Sequence, residues 1–350
     1  MRSRSRFFIG FIIVVVLLPI LFIVPRFVQA HTAGTIQTNT SRAPFKGSPL
    51  NSHQRTSRTL LHGFQHVFVI VMENNSYSSI IGNANAPWIT SAAKTYGIAT
   101  RYYGVAHPSQ PNYLALTSGS TQGVASDATV TVRATNLVDQ LEAHGKSWKA
   151  YMQSLSSRGN INKLAPSVGG YARKHNPFVS YTDIQRNPAR MARIVDFSQL
   201  ATDLRSDTVP DFAWITPDLC HDMHGITSSR PNDPCSNPRL LVAQGDTFLR
   251  TTVDEIMHSR AWSGNSVIFI AWDESNFNDQ SGCCNANPGG GHVLTLVISR
   301  NERTPRSSNV LYNHYSLLAT IENGWGLSCL NKTCGIARIQ SMNALVGSPG

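Results

Sequence analysis

Charge is scarce in this chain. Asp, Glu, Lys and Arg together supply only 14% of its 350 residues, too little for a coiled coil or for a solvated disordered protein. No internal repeat occurs, so the chain is not an array of small units. No basic tract interleaved with aromatic residues marks a nucleic-acid surface. The cysteines number six, and none falls in a CxxC pair or at a Cys/His spacing that would hold zinc. One apolar run is long, Phe7 to Val24. What remains is a loop-rich chain with 41% hydrophobic residues, enough to fill the core of one large α/β domain or two smaller ones.

Arg2, Arg4 and Arg6 precede the long apolar run, and Val28-Gln29-Ala30 resembles a small-residue cleavage site, so residues 1–30 read as a targeting segment. The run exceeds the usual signal core of about 7–15 residues and approaches the roughly 18 that begin to span a bilayer. A cleaved signal peptide and an uncleaved N-terminal membrane anchor both remain open. Residues 31–59, rich in Thr, Ser, Asn, Gly and Pro, read as a flexible linker, and the catalytic domain is expected over 60–350. The protein is therefore expected to be secreted or held on the extracytoplasmic face of the cell membrane. The formal charge is +10; without the four leader arginines, Arg2, Arg4, Arg6 and Arg26, it is +6, a balance that favours anionic substrates or membrane faces. In an exported chain six cysteines suggest disulfides. Cys220 with Cys235 and Cys329 with Cys334 close simple local loops, and Cys283-Cys284 either bridge each other or take separate partners.

Apolar β-type runs alternate with helical patterns along the rest. Strands are expected at His66–Met72, Ala99–Tyr103, Ser147–Met152, Asp211–Ile215, Ser266–Trp272 and His292–Ser299. Helices are expected near Trp88–Tyr96, Leu137–His144, Phe197–Leu204 and Asp246–Trp262, and from about Asn313 onward. Residues 155–195 lack periodicity and read as an insertion or cap over the sheet edge. The alternation predicts an α/β fold, a mainly parallel sheet flanked by helices on both faces.

Two strands end on acidic doublets: HVFVIVM runs into Glu73-Asn74 and SVIFIAW into Asp273-Glu274. Open α/β sheets place ligands beyond the carboxyl ends of their strands, so both doublets stand where a site belongs. Between them in the chain, His107-Pro108-Ser109-Gln110-Pro111-Asn112 sets a hydroxyl at the start of a helical pattern. Each feature alone is as compatible with an exit turn or a helix cap. Together, carboxylates, an amide oxygen and a hydroxyl point to a hard metal ion beside a nucleophile, the chemistry of phosphate-ester cleavage.

Seven ordered motifs carry a resemblance: Glu73-Asn74-Asn75, His107 through Tyr113, Tyr171-Ala172-Arg173-Lys174-His175, Asp222-Met223-His224, Gly245-Asp246, Trp272-Asp273-Glu274 and Asn313-His314-Tyr315. In these the chain resembles the bacterial phosphoesterase family of secreted acid phosphatases and phospholipases C, within the alkaline-phosphatase-like superfamily. The motifs are most similar to those of mycobacterial secreted acid phosphatases. The resemblance implies that Glu73, Asn74, Asp273 and Glu274 hold a divalent metal (Ca, Mg, Mn or Zn), with Ser109 as both ligand and nucleophile. It makes Lys174 and His175 candidates for phosphate contact and leaving-group protonation. Asp222, His224 and His314 become further catalytic candidates. Amides at the start of the helix after Ser109 are expected to cradle phosphate oxygens, with Asn112 adding a side-chain donor. Whether His292 enters the site is left open by the glycine-rich segment before it.

The expected activity is a metal-dependent phosphomonoesterase of acid phosphatase type, working through a phosphoserine. The alternative is a phospholipase C, which needs an apolar channel for diacylglycerol, and a more remote one is a non-catalytic, surface-tethered binding protein. The expected partner is a small phosphorylated substrate or a phospholipid headgroup, not nucleic acid, with a possible membrane tether at the N-terminus.

Overall fold

The computed structural model of the protein describes residues 63–155, 163–164, 167–168, 170–227, 233–301, 304–335 and 339–347. The expected leader at 1–30 and linker at 31–59 lie outside the described residues. Nine strands form the main sheet: β1 (Val67–Met72), β2 (Gly97–Tyr103), β3 (Trp148–Met152), β4 (Ile194–Asp196), β5 (Phe212–Thr216), β6 (Val267–Trp272), β7 (His292–Ser299), β8 (Arg306–Ser308) and β9 (Tyr312–Asn313). Their spatial order is β8-β2-β7-β6-β1-β5-β3-β4, with β9 also paired to β2. β7 runs antiparallel to both its neighbours, and every other pairing in the sheet is parallel.

The central strands β1 and β6 are apolar and buried at every position, as strands covered on both faces must be. Their register decides where the chemistry sits. Met72 lies opposite Trp272, so Glu73 and Asp273 leave the sheet side by side, and the Asp273 amide donates to Met72 O at 2.9 Å.

Helices flank the sheet in two packed groups. α1 (Pro87–Thr95) packs on α5 (Pro238–Met257), as does α4 (Ser198–Ser206), while α2 (Ser109–Ser118) packs on α6 (His314–Trp325). A seventh-sequence-motif asparagine, Asn313, caps α6 by accepting from Tyr315 N, and Asn136 does the same for α3 (Leu137–Ala143) through Val138 N, each filling an orphan donor of the first turn. α5 differs from the expected Asp246–Trp262. It begins at Pro238, where Asn237 accepts from Arg239 N and proline fits the first helical position, and it ends at Met257. The aperiodic stretch also departs from a simple cap. It supplies the edge strand β4, and its 3₁₀ turns Arg173–His175 and Pro177–Ser180 pack against α2.

Three disulfides join Cys220–Cys235, Cys283–Cys284 and Cys329–Cys334. Among the described residues, no helix is long and apolar enough to cross a membrane.

Candidate active site

A cavity of about 330 Å³ adjoins the ends of β1 and β6, lined by Asn74, His107, Pro108, Ser109, Asp127, Lys174, His224, Glu274, Ser275, Asn276 and Phe277. Ser109 is the first residue of α2 and is fully buried. Its Oγ lies 3.0 Å from Glu73 Oε2 and 2.9 Å from Glu274 Oε1, and Lys174 Nζ donates to it across 3.5 Å. A hydroxyl carries one proton and can donate to only one of those two carboxylates.

The carboxylates crowd each other. Burial above all, with Glu274 adding repulsion, pushes Glu73 up to about 8, against the pull of Lys174 and of hydrogen bonds from Tyr113 and Ser109. Tyr113 OH donates to Glu73 Oε1 at 2.7 Å. Asp273 is held well above the usual carboxylate range by burial and then by Glu73 and Glu274. Its Oδ1 accepts from Asn74 N at 3.2 Å, whereas its buried Oδ2 has no hydrogen-bond partner among the described residues. Asn74 reaches this position with a left-handed backbone, φ 51°. An orphaned carboxylate oxygen beside two more buried carboxylates and a shared hydroxyl is a donor set that fits a hard divalent cation. A second, overlapping set also qualifies: Glu73, His175 and His224 each offer a ligand atom, all within 4.8 Å of one another.

On the other side of Ser109 stands a cation, Lys174. Lys174 Nζ donates to Asp127 Oδ2 at 2.8 Å and to His224 Nε2 at 3.3 Å. Burial alone would lower the Lys174 pKa, but Glu73 and Asp127 raise it on balance, so the amine is charged and His224 Nε2 is the acceptor. His224 Nδ1 then donates to Gly225 O at 2.8 Å, which makes the ring a neutral Nδ1–H tautomer; burial and Lys174 both lower its pKa.

Several expected residues occupy other positions. Asn112 accepts from Val105 N and Ala106 N and donates to Ala106 O and Pro108 O. Its amide is spent on shaping the serine turn and has no donor left for a phosphate. The Gln110 amide at the start of α2 donates to Asp127 Oδ1 at 2.9 Å, so that part of the expected phosphate cradle is occupied by a side chain. His175 is buried behind Glu73, its ring stacked on Tyr113, with Nε2 3.1 Å from Glu73 Oε1 and Nδ1 3.2 Å from Asp222 Oδ2. Asp222 is also fully buried; its Oδ1 accepts from His224 N, and its carbonyl accepts from Glu73 N. His175 and Asp222, like Glu73 and Asp273, do not line the cavity; they pack against Glu73 and the loop that carries His224. His314 lies behind Asp273, with one ring nitrogen on Tyr102 OH and the other on the Asp273 carbonyl. Burial lowers its pKa to about 4, so the ring is neutral at pH 7. His292 stacks on Tyr77 and does not line the cavity.

Gly245 and Asp246 act at a distance. A Cβ on Gly245 would meet Met223 Cε at 2.4 Å and His221 O at 3.0 Å, so only glycine lets α5 approach the loop that carries Asp222 and His224. Asp246 accepts from Trp88 N and Ile89 N and thereby caps α1.

Two ionisable cavity residues, Asp127 and His107, are not marked by the sequence, nor are Ser275, Asn276 and Phe277. Asp127 lies in a turn-rich stretch with no periodic signal. His107 stands in the motif that supplies Ser109 and Asn112, and it pairs through Nδ1 with Glu274 and through Nε2 with Asp279 O.

A phosphoesterase family model matches residues 83–328, a span that holds every candidate above except Glu73 and Asn74. An acid phosphatase of Aspergillus fumigatus is 24% identical over 315 residues, 88% of this chain and 65% of the relative; the chain thus spans less than two thirds of that relative's length. A phosphatidylinositol-3-phosphatase of Mycobacterium tuberculosis is 30% identical over 267 residues, covering 75% of this chain and 78% of the relative. In fold, the protein is similar to a member of the alkaline phosphatase superfamily from Vibrio parahaemolyticus, with a TM-score of 0.51 at 13% identity over 82% of this chain and 74% of that one. With the sheet, the serine at a helix start and the paired acidic strand ends all in place, the chain belongs to the phosphoesterase family.

Proposed function

We propose that the protein is an exported, metal-dependent phosphomonoesterase of acid phosphatase type that works through a phosphoserine on Ser109. The observation that carries this reading is the placement of Ser109 Oγ within 3.0 Å of two carboxylates and 3.5 Å from a lysine ammonium. Glu73, Asn74, Asp273 and Glu274, with Ser109 itself, would hold the cation. When bound, it favours the serine alkoxide and offsets charge on phosphoryl oxygens.

The chain's own groups account for the rest. Ser109 Oγ forms a bond to phosphorus as the bond to the leaving oxygen breaks, and water later cleaves the phosphoserine. Lys174, fixed by Asp127, faces the phosphoryl oxygens as a point charge. It is also a candidate donor of a proton to the leaving oxygen, with His224 Nε2 hydrogen-bonded behind it. His175 and Asp222 hold Glu73 and the His224 loop in place.

A phosphomonoester is favoured over a phospholipid diester. The serine cavity is small and lined mostly by polar residues, and the apolar groove of about 450 Å³ lined by Phe197, Leu240 and Phe248 shares no lining residue with it. The mycobacterial relative is itself named as a phosphatase of a phosphorylated lipid headgroup. The N-terminal pattern and three disulfides support export.

The test is to assay the purified full chain on a phosphomonoester, a phosphodiester and phosphatidylcholine, before and after exhaustive chelation. The expected result is monoester hydrolysis that chelation abolishes and divalent cations restore. Preferential cleavage of phosphatidylcholine would support the lipase instead, and full activity in metal-free protein would remove the cation.

A further inference from the structure

The cavity beside Ser109 has one wall that phosphate chemistry does not use. Its polar groups, Ser109, Asp127, Lys174, His224 and Glu274, are engaged with one another. Phe277 also lines the cavity and is 69% exposed. Among the described residues only Leu164, Leu240, Phe277 and Leu311 are large, apolar and exposed, and of these Phe277 alone borders this cavity. A lone exposed hydrophobic is ordinary. One set beside a nucleophile, in a lining whose other residues are polar except Pro108, calls for something to cover it.

The ring is held in place. It packs against His107 at 5.1 Å between centroids, and His107 is fixed at both nitrogens, by Glu274 and by Asp279 O. The turn is closed by Asp279 N donating to Asn276 O at 2.8 Å, and Gln280 Nε2 donates to Phe277 O at 2.8 Å. Because Glu274 also touches Ser109 Oγ, a short chain of contacts runs from the nucleophile through Glu274 and His107 to the Phe277 ring.

Resting on the phosphomonoesterase reading, we propose that Phe277 determines leaving-group specificity, stacking on a flat, apolar ring face of the alcohol being released and so favouring ring-bearing phosphomonoesters over short acyclic polyol phosphates. The pairing of an aromatic side chain with a ring in an offset or edge arrangement supplies the selectivity, while Lys174 and Ser109 handle the phosphate common to all substrates.

The test compares phenyl phosphate with glycerol 3-phosphate in the full chain and in F277S and F277Y. In F277S the ratio of kcat/KM for phenyl phosphate to that for glycerol 3-phosphate should fall about 5- to 10-fold, the upper figure corresponding to about 1.4 kcal/mol, with the change in KM. F277Y keeps the ring and should hold the ratio within about twofold of the unaltered protein. An F277S ratio that stays at the unaltered value overturns the inference and leaves the phosphatase reading standing. An unaltered protein that hydrolyses neither ester overturns that reading itself, and the inference with it.

Discussion

Asp127 serves two partners with one carboxylate: Oδ1 accepts from the Gln110 amide, and Oδ2 from Lys174 Nζ. The ion pair is partly exposed, with 21% of the lysine side chain and 31% of the aspartate side chain accessible, so it adds at most about 1 kcal/mol to the fold. Its value is positional, because it holds Lys174 beside Ser109. Asp127→Asn keeps an acceptor for the Gln110 amide but turns an NH₂ toward the lysine and removes a negative charge from the cavity. Loss of positioning should lower kcat about tenfold, while the reduced repulsion of an anionic substrate should leave KM unchanged or lower. Steady-state kinetics beside a melting curve check this split; an unchanged kcat, or a raised KM with a collapsed melting temperature, would assign Asp127 a purely structural role.

At the scale of elements, the strands were legible because their signal is local. VFVIVM and VIFIAW read as buried strands from their composition alone, and a register pairing Met72 with Trp272 brings Glu73 beside Asp273. α5 was less legible. Its periodic face was visible from Asp246 onward, but its true start is set by Asn237 and Pro238, and Gly245 in its middle answers to a loop elsewhere in the chain. α6 shows a different balance. Its Glu322 is buried and accepts from Leu330 N at 2.9 Å, holding down the Cys329–Cys334 loop. Burial pushes its pKa from 4.5 up to about 7. A carboxyl that binds its proton more tightly when folded gives full stability below its unfolded pKa and loses it as pH rises through the folded one. Between about pH 4.5 and 7 this group should therefore cost the protein on the order of 2–3 kcal/mol. Glu322→Gln keeps the acceptor without the charge. It should melt with the unaltered protein near pH 4.5 and about 4–6 °C above it at pH 8, as pH-resolved thermal unfolding would show; equal melting at both pH values would contradict the assignment.

Across the whole molecule, the cluster assembles from segments distant in sequence: the ends of β1 and β6, the start of α2, the turns at 173–175 and the loop at 222–224. Residue types and strand ends marked Glu73, Ser109, Asp273 and Glu274 correctly as neighbours. They could not separate the residues that face the cavity from those that stand behind them. His175, Asp222 and His314 came together with the site, yet like Glu73 and Asp273 they are buried and do not line the cavity. That distinction depends on side-chain direction, which spacing along a chain does not carry. Asp127 left no trace for the same reason, since a turn aspartate is ordinary until a lysine from another segment meets it. What unites these groups is Ser109, and the direct measurement is the turnover of Ser109→Ala on a small phosphomonoester at saturating divalent cation, where loss of cation affinity is masked. The expected result is a folded protein whose kcat is lower by at least about 10³-fold; turnover within about tenfold of the unaltered enzyme would contradict the serine as nucleophile.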